Sequence, residues 1–237
     1  MLFFFKEKPI EIIAYVNPTY NFVREFNPIV PARDYIPTWW KNTPSSKIDW
    51  EEMGSLKTVK SCPGIISLLS TGFILPCWSD LAIKYSNKSF NYIFADKHTQ
   101  LDYHPDFQSP NFYTEHHHFK IAAPWIIKTP VKLLLQYPFY QNTENDLLVT
   151  PPGILSPVKN LCALNIFLFF EKLQEEKRLE IKKGTPLLQI IPLTERKVTI
   201  RCETVDNYEF DKMKSTIGTD NSFGGRGLKN LRAESKS

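Results

Sequence analysis

The sequence predicts an all-β protein: a distorted β-barrel or jelly-roll-like sandwich with an extended N-terminal arm and a flexible C-terminal tail. Three observations carry this. From Leu56 to Thr199, short runs of β-branched and aromatic residues recur between Pro, Gly and Asn, the pattern of strands joined by tight loops. Eighteen prolines against nine glycines interrupt helices and argue against an all-helical bundle. A hydrophobic fraction of 42%, with 17 Phe, 10 Tyr and 5 Trp among 237 residues, is enough for a sizeable core and excludes a largely disordered chain.

Residues 1–55 read as a proline- and aromatic-rich arm. Its best element is Ile10 to Val16, an apolar β-branched run that predicts a strand. Pro18, Pro28, Pro31, Pro37 and Pro44 keep the rest extended, and Tyr35, Trp39, Trp40 and Trp50 are suited to pack on a core or a neighbouring subunit. Trp39 and Trp40 also have flat faces of the kind that stack on a sugar or a base. Residues 56–200 form the β-barrel domain. Strands are expected at 56–60, 65–69, 72–75, 81–85, 92–95, 119–121, 125–128, 132–136, 147–149, 161–170, 179–182 and 187–193. Glu171 to Arg178 is a solvated connection, either a hairpin tip or one helical turn, because Glu171 and Glu175 lie four apart, as do Lys172 and Glu176. Residues 201–237 form a C-terminal extension. From Ser215 onward it holds four of the nine glycines (Gly218, Gly224, Gly225 and Gly227) and little apolar density, so a mobile tail is expected.

The 29 basic and 25 acidic residues are interspersed, for a formal charge of +4. No basic block calls for a nucleic-acid partner. The apolar patch Leu2 to Phe5 is too short for a signal segment and its charges follow it. The longest apolar runs, such as Leu164 to Phe170, fall far below the roughly 20 residues that span a bilayer. The expectation is a soluble chain with no membrane partner. Cys62, Cys77, Cys162 and Cys202 are widely spaced without a C-x-x-C pair, as expected of buried free thiols in a reducing compartment.

All five histidines lie between positions 98 and 118. His104 and Asp106 have the His-x-Asp spacing that supplies two ligands of a facial iron triad, and His116 and His118 would share one face of a strand. These four residues are the candidate ligands of a divalent metal, iron or magnesium. Against a dioxygenase-type triad, no histidine follows His118 to serve as a distal ligand from a later strand. The structural alternative is a polar, aromatic-rich loop in which His116 to His118 are partly exposed beside Glu115 and titrate near neutral pH. No G-x-S-x-G elbow, P-loop or dinucleotide-binding glycine motif is present. The acid pairs Glu51-Glu52 and Glu175-Glu176 sit in charge-rich stretches typical of a solvated face.

The run Ser70-Thr71-Gly72-Phe73-Ile74-Leu75-Pro76 resembles the threonine, glycine, apolar, proline strand near the start of the dUTPase fold. Pro152-Gly153-Ile154-Leu155, Leu164-Asn165-Ile166-Phe167 and Ile181 to Ile191, which contains Lys183-Gly184-Thr185-Pro186 and Gln189, resemble that family's third and fourth motifs in order. Together they cover about half the chain, discontinuously. The resemblance implies a β-clip barrel, with Gln189 and the tail Phe223-Gly224-Gly225-Arg226-Gly227 as the only phosphate-contact counterparts. The departures fall on the chemistry: Leu155-Ser156-Pro157 stands where the catalytic aspartate and the sugar-selecting tyrosine belong, and Thr185-Pro186 where an aspartate and arginine belong. The chain as a whole, through Thr58 to Pro63, Phe119 to Ile121 and Pro124 to Pro130, also resembles an uncharacterised family of marine bacteriophage proteins. That resemblance implies a structural or assembly protein of a virion, a homo-oligomer in contact with other virion proteins. Two alternatives are a dUTPase-related nucleotide binder or phosphohydrolase, and a jelly-roll iron and 2-oxoglutarate oxygenase.

Overall fold

A computed structural model describes residues 7–49, 54–104, 113–142 and 148–222. Strand β1 (Ile10–Val16) buries Ile10, Ile12, Ala14 and Val16 at alternate positions, the period of two that a strand imposes on its faces. Helix α1 (Asn21–Phe26), strand β2 (Val30–Pro31) and helix α2 (Thr38–Asn42) follow. A ribbon of β3 (Ser46–Asp49) and β4 (Gly54–Lys57) leads to helix α3 (Pro63–Ser70). Then come β5 (Phe73–Pro76), β6 (Leu81–Tyr85), β7 (Phe90–Phe94), β8 (Leu101–His104), β9 (His116–Lys128) and β10 (Leu133–Gln136). The chain continues through β11 (Leu148–Val149), β12 (Gly153–Leu155), β13 (Leu161–Glu171), β14 (Lys177–Ile181), β15 (Pro186–Pro192), β16 (Val198–Thr204) and helix α4 (Asn207–Ser222).

The strands form one six-stranded sheet, β11-β13-β9-β1-β16 with β8 also on β9, and one five-stranded sheet, β12-β10-β15-β5-β2. A three-stranded sheet, β14-β6-β7, and the β3–β4 ribbon complete the set, and none of these sheets closes into a barrel. The fold is all-β and sandwich-like. A single core joins Phe119, Ile121 and Trp125 of β9 with Leu75, Leu133 and Leu188 of the five-stranded sheet and Ile83 and Tyr85 of β6. On the opposite face of the six-stranded sheet, Phe210 and Ile217 of α4 pack on Ile126.

The long strand β9 merges two of the expected strands across Pro124. Between its pairings Ile126 with Ala163 and Ala122 with Asn165, β9 spans four positions while β13 spans two. Pro124 has no N–H to donate, so it sits where the ladder is already broken. Because the excess is two residues, odd-numbered positions keep their face: Phe119, Ile121, Trp125 and Ile127 are all in the core.

Several expectations are corrected. Residues 65–69 are helical rather than extended. Proline at the first turn starts α3, and Ile65, Ile66, Leu68 and Leu69 fit a helical period as well as a short apolar strand. The C-terminal extension is an ordered helix as far as Ser222, anchored by Phe210 and by Ile217 at 8% exposure; residues 223–237, with the glycine run, lie outside the described residues. Glu171 to Arg178 is neither a hairpin tip nor a helical turn, since it carries the chain from β13 in one sheet to β14 in another. Strands β2, β3, β8, β12 and β16 were not among those expected. Cys77 and Cys162 are buried free thiols, and burial pushes each up to about 12, whereas Cys62 is exposed. No helix among the described residues is long and apolar enough to cross a membrane.

Candidate functional site

The histidines come together through sheet register. On β9, His117 belongs to the set that includes Phe119 and Ile121, while His116 and His118 alternate to the other face. Pairing of β8 with β9 sets His104 directly opposite His118 and Asp102 opposite Lys120. On the other flank, β13 sets Glu171 opposite His116, Phe169 opposite His118 and Phe167 opposite Lys120. Directly opposed side chains in an antiparallel ladder share a face and lie about 5 Å apart at Cβ. The result is a patch of His104, His116 and His118 with Glu171, on a floor of Phe167 and Phe169.

His118 is 2% exposed, its ring stacked on Phe169 at 4.2 Å between centroids. Its Nε2 lies 2.9 Å from the Tyr113 carbonyl oxygen, which also accepts the backbone N–H of His116 at 2.9 Å. Tyr113 takes a left-handed backbone, φ 49°, and its ring meets His116 and Phe169 edge-on at 5.0 and 5.5 Å. The His104 ring meets Phe167 at 5.5 Å. Lys120 pairs with Asp102 at 3.4 Å. Burial lowers the His116 pKa below its usual value. Glu171 and Glu115 oppose that shift, while His118 and Lys172 add to it. The neutral imidazole is therefore favoured, the form that accepts a proton or ligates a metal. His116 Nδ1 is buried without a hydrogen-bond partner.

His117 points the other way, buried at 6% exposure among Phe119 and Tyr103, with Nε2 against the Ser86 carbonyl oxygen. The three consecutive histidines are thus not one cluster. Of the four candidate ligands, His104 and His118 are brought face to face, His116 lies one step along the same face, and Asp106 lies outside the described residues. Among the described residues, no three His, Cys, Asp or Glu side chains group as metal ligands. Sequence reasoning missed Tyr113, Phe169 and Glu171 as parts of this patch. Alternation along Leu161 to Glu171 indicates which residues share a face, but only the register with β9 says which histidine each meets.

The second motif region is also resolved. Gln189, on β15, is 1% exposed, and its Nε2 donates to the carbonyls of Leu68 and Thr71 at 2.8 and 2.9 Å. Its Oε1 accepts from Gln136 Nε2 at 2.9 Å. The side chain terminates α3 and ties it to two strands. Those bonds occupy both ends of its amide. Gly72 and Gly184 have positive φ, 73° and 90°. At Gly72 a Cβ would lie 2.2 Å from the Ile190 carbonyl oxygen, so both the backbone and the close approach of β15 require glycine there.

No protein-family model, curated protein or solved structure matches this chain.

Proposed function

We propose that the protein is a structural or assembly protein working as a homo-oligomer, with a bacteriophage particle as its setting. The supporting observation is the β3–β4 ribbon. Among the described residues it pairs only with itself, Ser46 to Lys57 through Asp49 to Gly54, and joins none of the larger sheets. Ile48 and Leu56 are 59% and 53% exposed on its two opposite faces, since Ile48 is paired with Ser55 and Leu56 with Lys47, and Val59 and Ile66 in the segments that follow are exposed as well. A lone two-stranded ribbon is marginal in water. This one is held at its base, where Thr58 Oγ1 donates to the Pro44 carbonyl at 2.6 Å and Lys60 Nζ to those of Lys41 and Thr43 at 3.2 and 3.0 Å. A root fixed by hydrogen bonds and uncovered apolar side chains on both faces suit contact with a second copy of the chain. The dUTPase-like alternative gains little, because Gln189 is committed within the fold.

The test is the solution mass of the full chain by light scattering. The expected result is an oligomer that Ile48→Asp with Leu56→Asp reduces to a monomer of unchanged melting temperature. A monomeric parent chain overturns the reading. Quantitative mass spectrometry of purified phage particles tests the setting, with a fixed copy number relative to the major capsid protein expected.

A further inference from the structure

The geometry points to a carbohydrate-binding cleft between the α2 segment, the turn after β10 and the turn before β15, recognising a neutral sugar ring through Gln141, Thr38, Thr185 and Trp39. The cleft has a volume of about 500 Å³, within the range of small-ligand sites. Three separated stretches of chain form it, and side chains tie them together. Tyr35 donates its hydroxyl to the Gly184 carbonyl, Trp39 Nε1 donates to the Tyr140 carbonyl at 2.8 Å, and Asn142 Nδ2 donates to the Pro186 carbonyl at 3.0 Å. The walls are therefore preformed.

Gln141 lines this cleft at 9% exposure, and its Nε2 is buried with no hydrogen-bond partner among the described residues. Its position is set by the backbone: the N–H groups of Gln141 and Asn142 both donate to the Pro138 carbonyl at 2.9 Å. A buried amide left unpaired costs free energy that an acceptor on a ligand returns. The hydroxyls of Thr38 and Thr185 add groups that both donate and accept.

Charge and shape select the ligand class. Among the described residues the lining has no carboxylate, so nothing there suits a divalent cation. Lys183 is its one cation, and its Nζ sits 5.3 Å from the centroid of the Phe26 ring. That is too little positive charge to hold a polyphosphate. What remains is an uncharged set of donors and acceptors beside the apolar faces of Tyr35, Pro37 and Trp39. A sugar ring has the matching surfaces: hydroxyls at its rim and C–H groups on its face.

The experiment is isothermal titration of the full chain with methyl glycosides of glucose, galactose, mannose and N-acetylglucosamine and their tetrasaccharides, with inorganic phosphate as a separate arm. At least one glycoside is expected to bind with a dissociation constant of about 1 mM or tighter. Gln141→Leu and the near-isosteric Thr185→Val are each expected to weaken that binding by about tenfold, with melting temperatures showing both variants folded. Absence of binding to every glycoside up to about 10 mM overturns the inference. So does binding that both folded variants retain, or phosphate bound in place of the glycosides and lost in Lys183→Met.

Discussion

The β9 strand and the β3–β4 ribbon are both paired antiparallel strands and end in opposite conditions. On β9, Phe119 is fully buried, with Phe90, Tyr103 and Phe170 at ring distances of 4.6, 5.6 and 5.7 Å. On the ribbon, Ile48 and Leu56 are more than half exposed. β9 is rich in aromatic and β-branched residues, whereas the ribbon has one Ile and one Leu among Ser, Lys, Asp and Gly; the two differ in neighbours as well. β9 has β13 along one side and β1 and β8 along the other, whereas among the described residues β3 pairs only with β4. A strand contributes stability when its faces are covered, and an uncovered one keeps its apolar side chains for another surface.

The sharpest way to break this contrast is Phe119→Ala, which empties a site where the rings of Phe90, Tyr103, His117 and Phe170 meet. It is expected to cost about 3–5 kcal/mol in urea unfolding. Gly72→Ala comes next, at about 3 kcal/mol in the same measurement, since it adds a left-handed strain to a collision with the β15 backbone. A smaller effect separates the two faces of β9 itself. Because the His116 pKa is lowered in the folded protein, the unfolded chain binds its proton more readily. The stability from keeping this imidazole neutral is present above the unfolded value of about 6.5 and is lost as pH falls through the lower folded value. Melting temperatures between pH 7.5 and 5 are expected to show this decline, and His116→Asn to flatten it. The smallest effect belongs to the ribbon: Leu56→Ser is expected to change the unfolding free energy of the dissociated chain by no more than about 0.5 kcal/mol. A loss there as large as at Phe119 would show that the ribbon is part of the core.

The misread elements show where pattern stops being informative. The run Ile65 to Leu69 satisfies two periods at once, and the proline and glycine before it were the stronger signal. Strand β16 was missed although Val198, Ile200 and Cys202 alternate with Thr199, Arg201 and Glu203, and its parallel pairing with β1 was not legible at all. The helix from Asn207 to Ser222 has few apolar residues. It is anchored at Phe210 and Ile217 by a sheet face 84 and 91 residues back along the chain at Ile126.

The amino-acid pattern by itself determined that this is a strand protein with a sizeable core and that Ile10 to Val16 and Leu161 to Phe170 are strands; for His116 and His118 it said only that they share a face if that stretch is a strand. Those are consequences of composition and of the two-residue period of a strand, which act locally. Only the tertiary structure decided that the sheets form an open sandwich rather than a closed barrel. It also decided that His104 faces His118, that Gln189 caps a helix from across a sheet, and that Gln141 reaches a cleft beside Thr185. Each of these depends on the register and order of strands far apart in the chain, and no short window of residues encodes them.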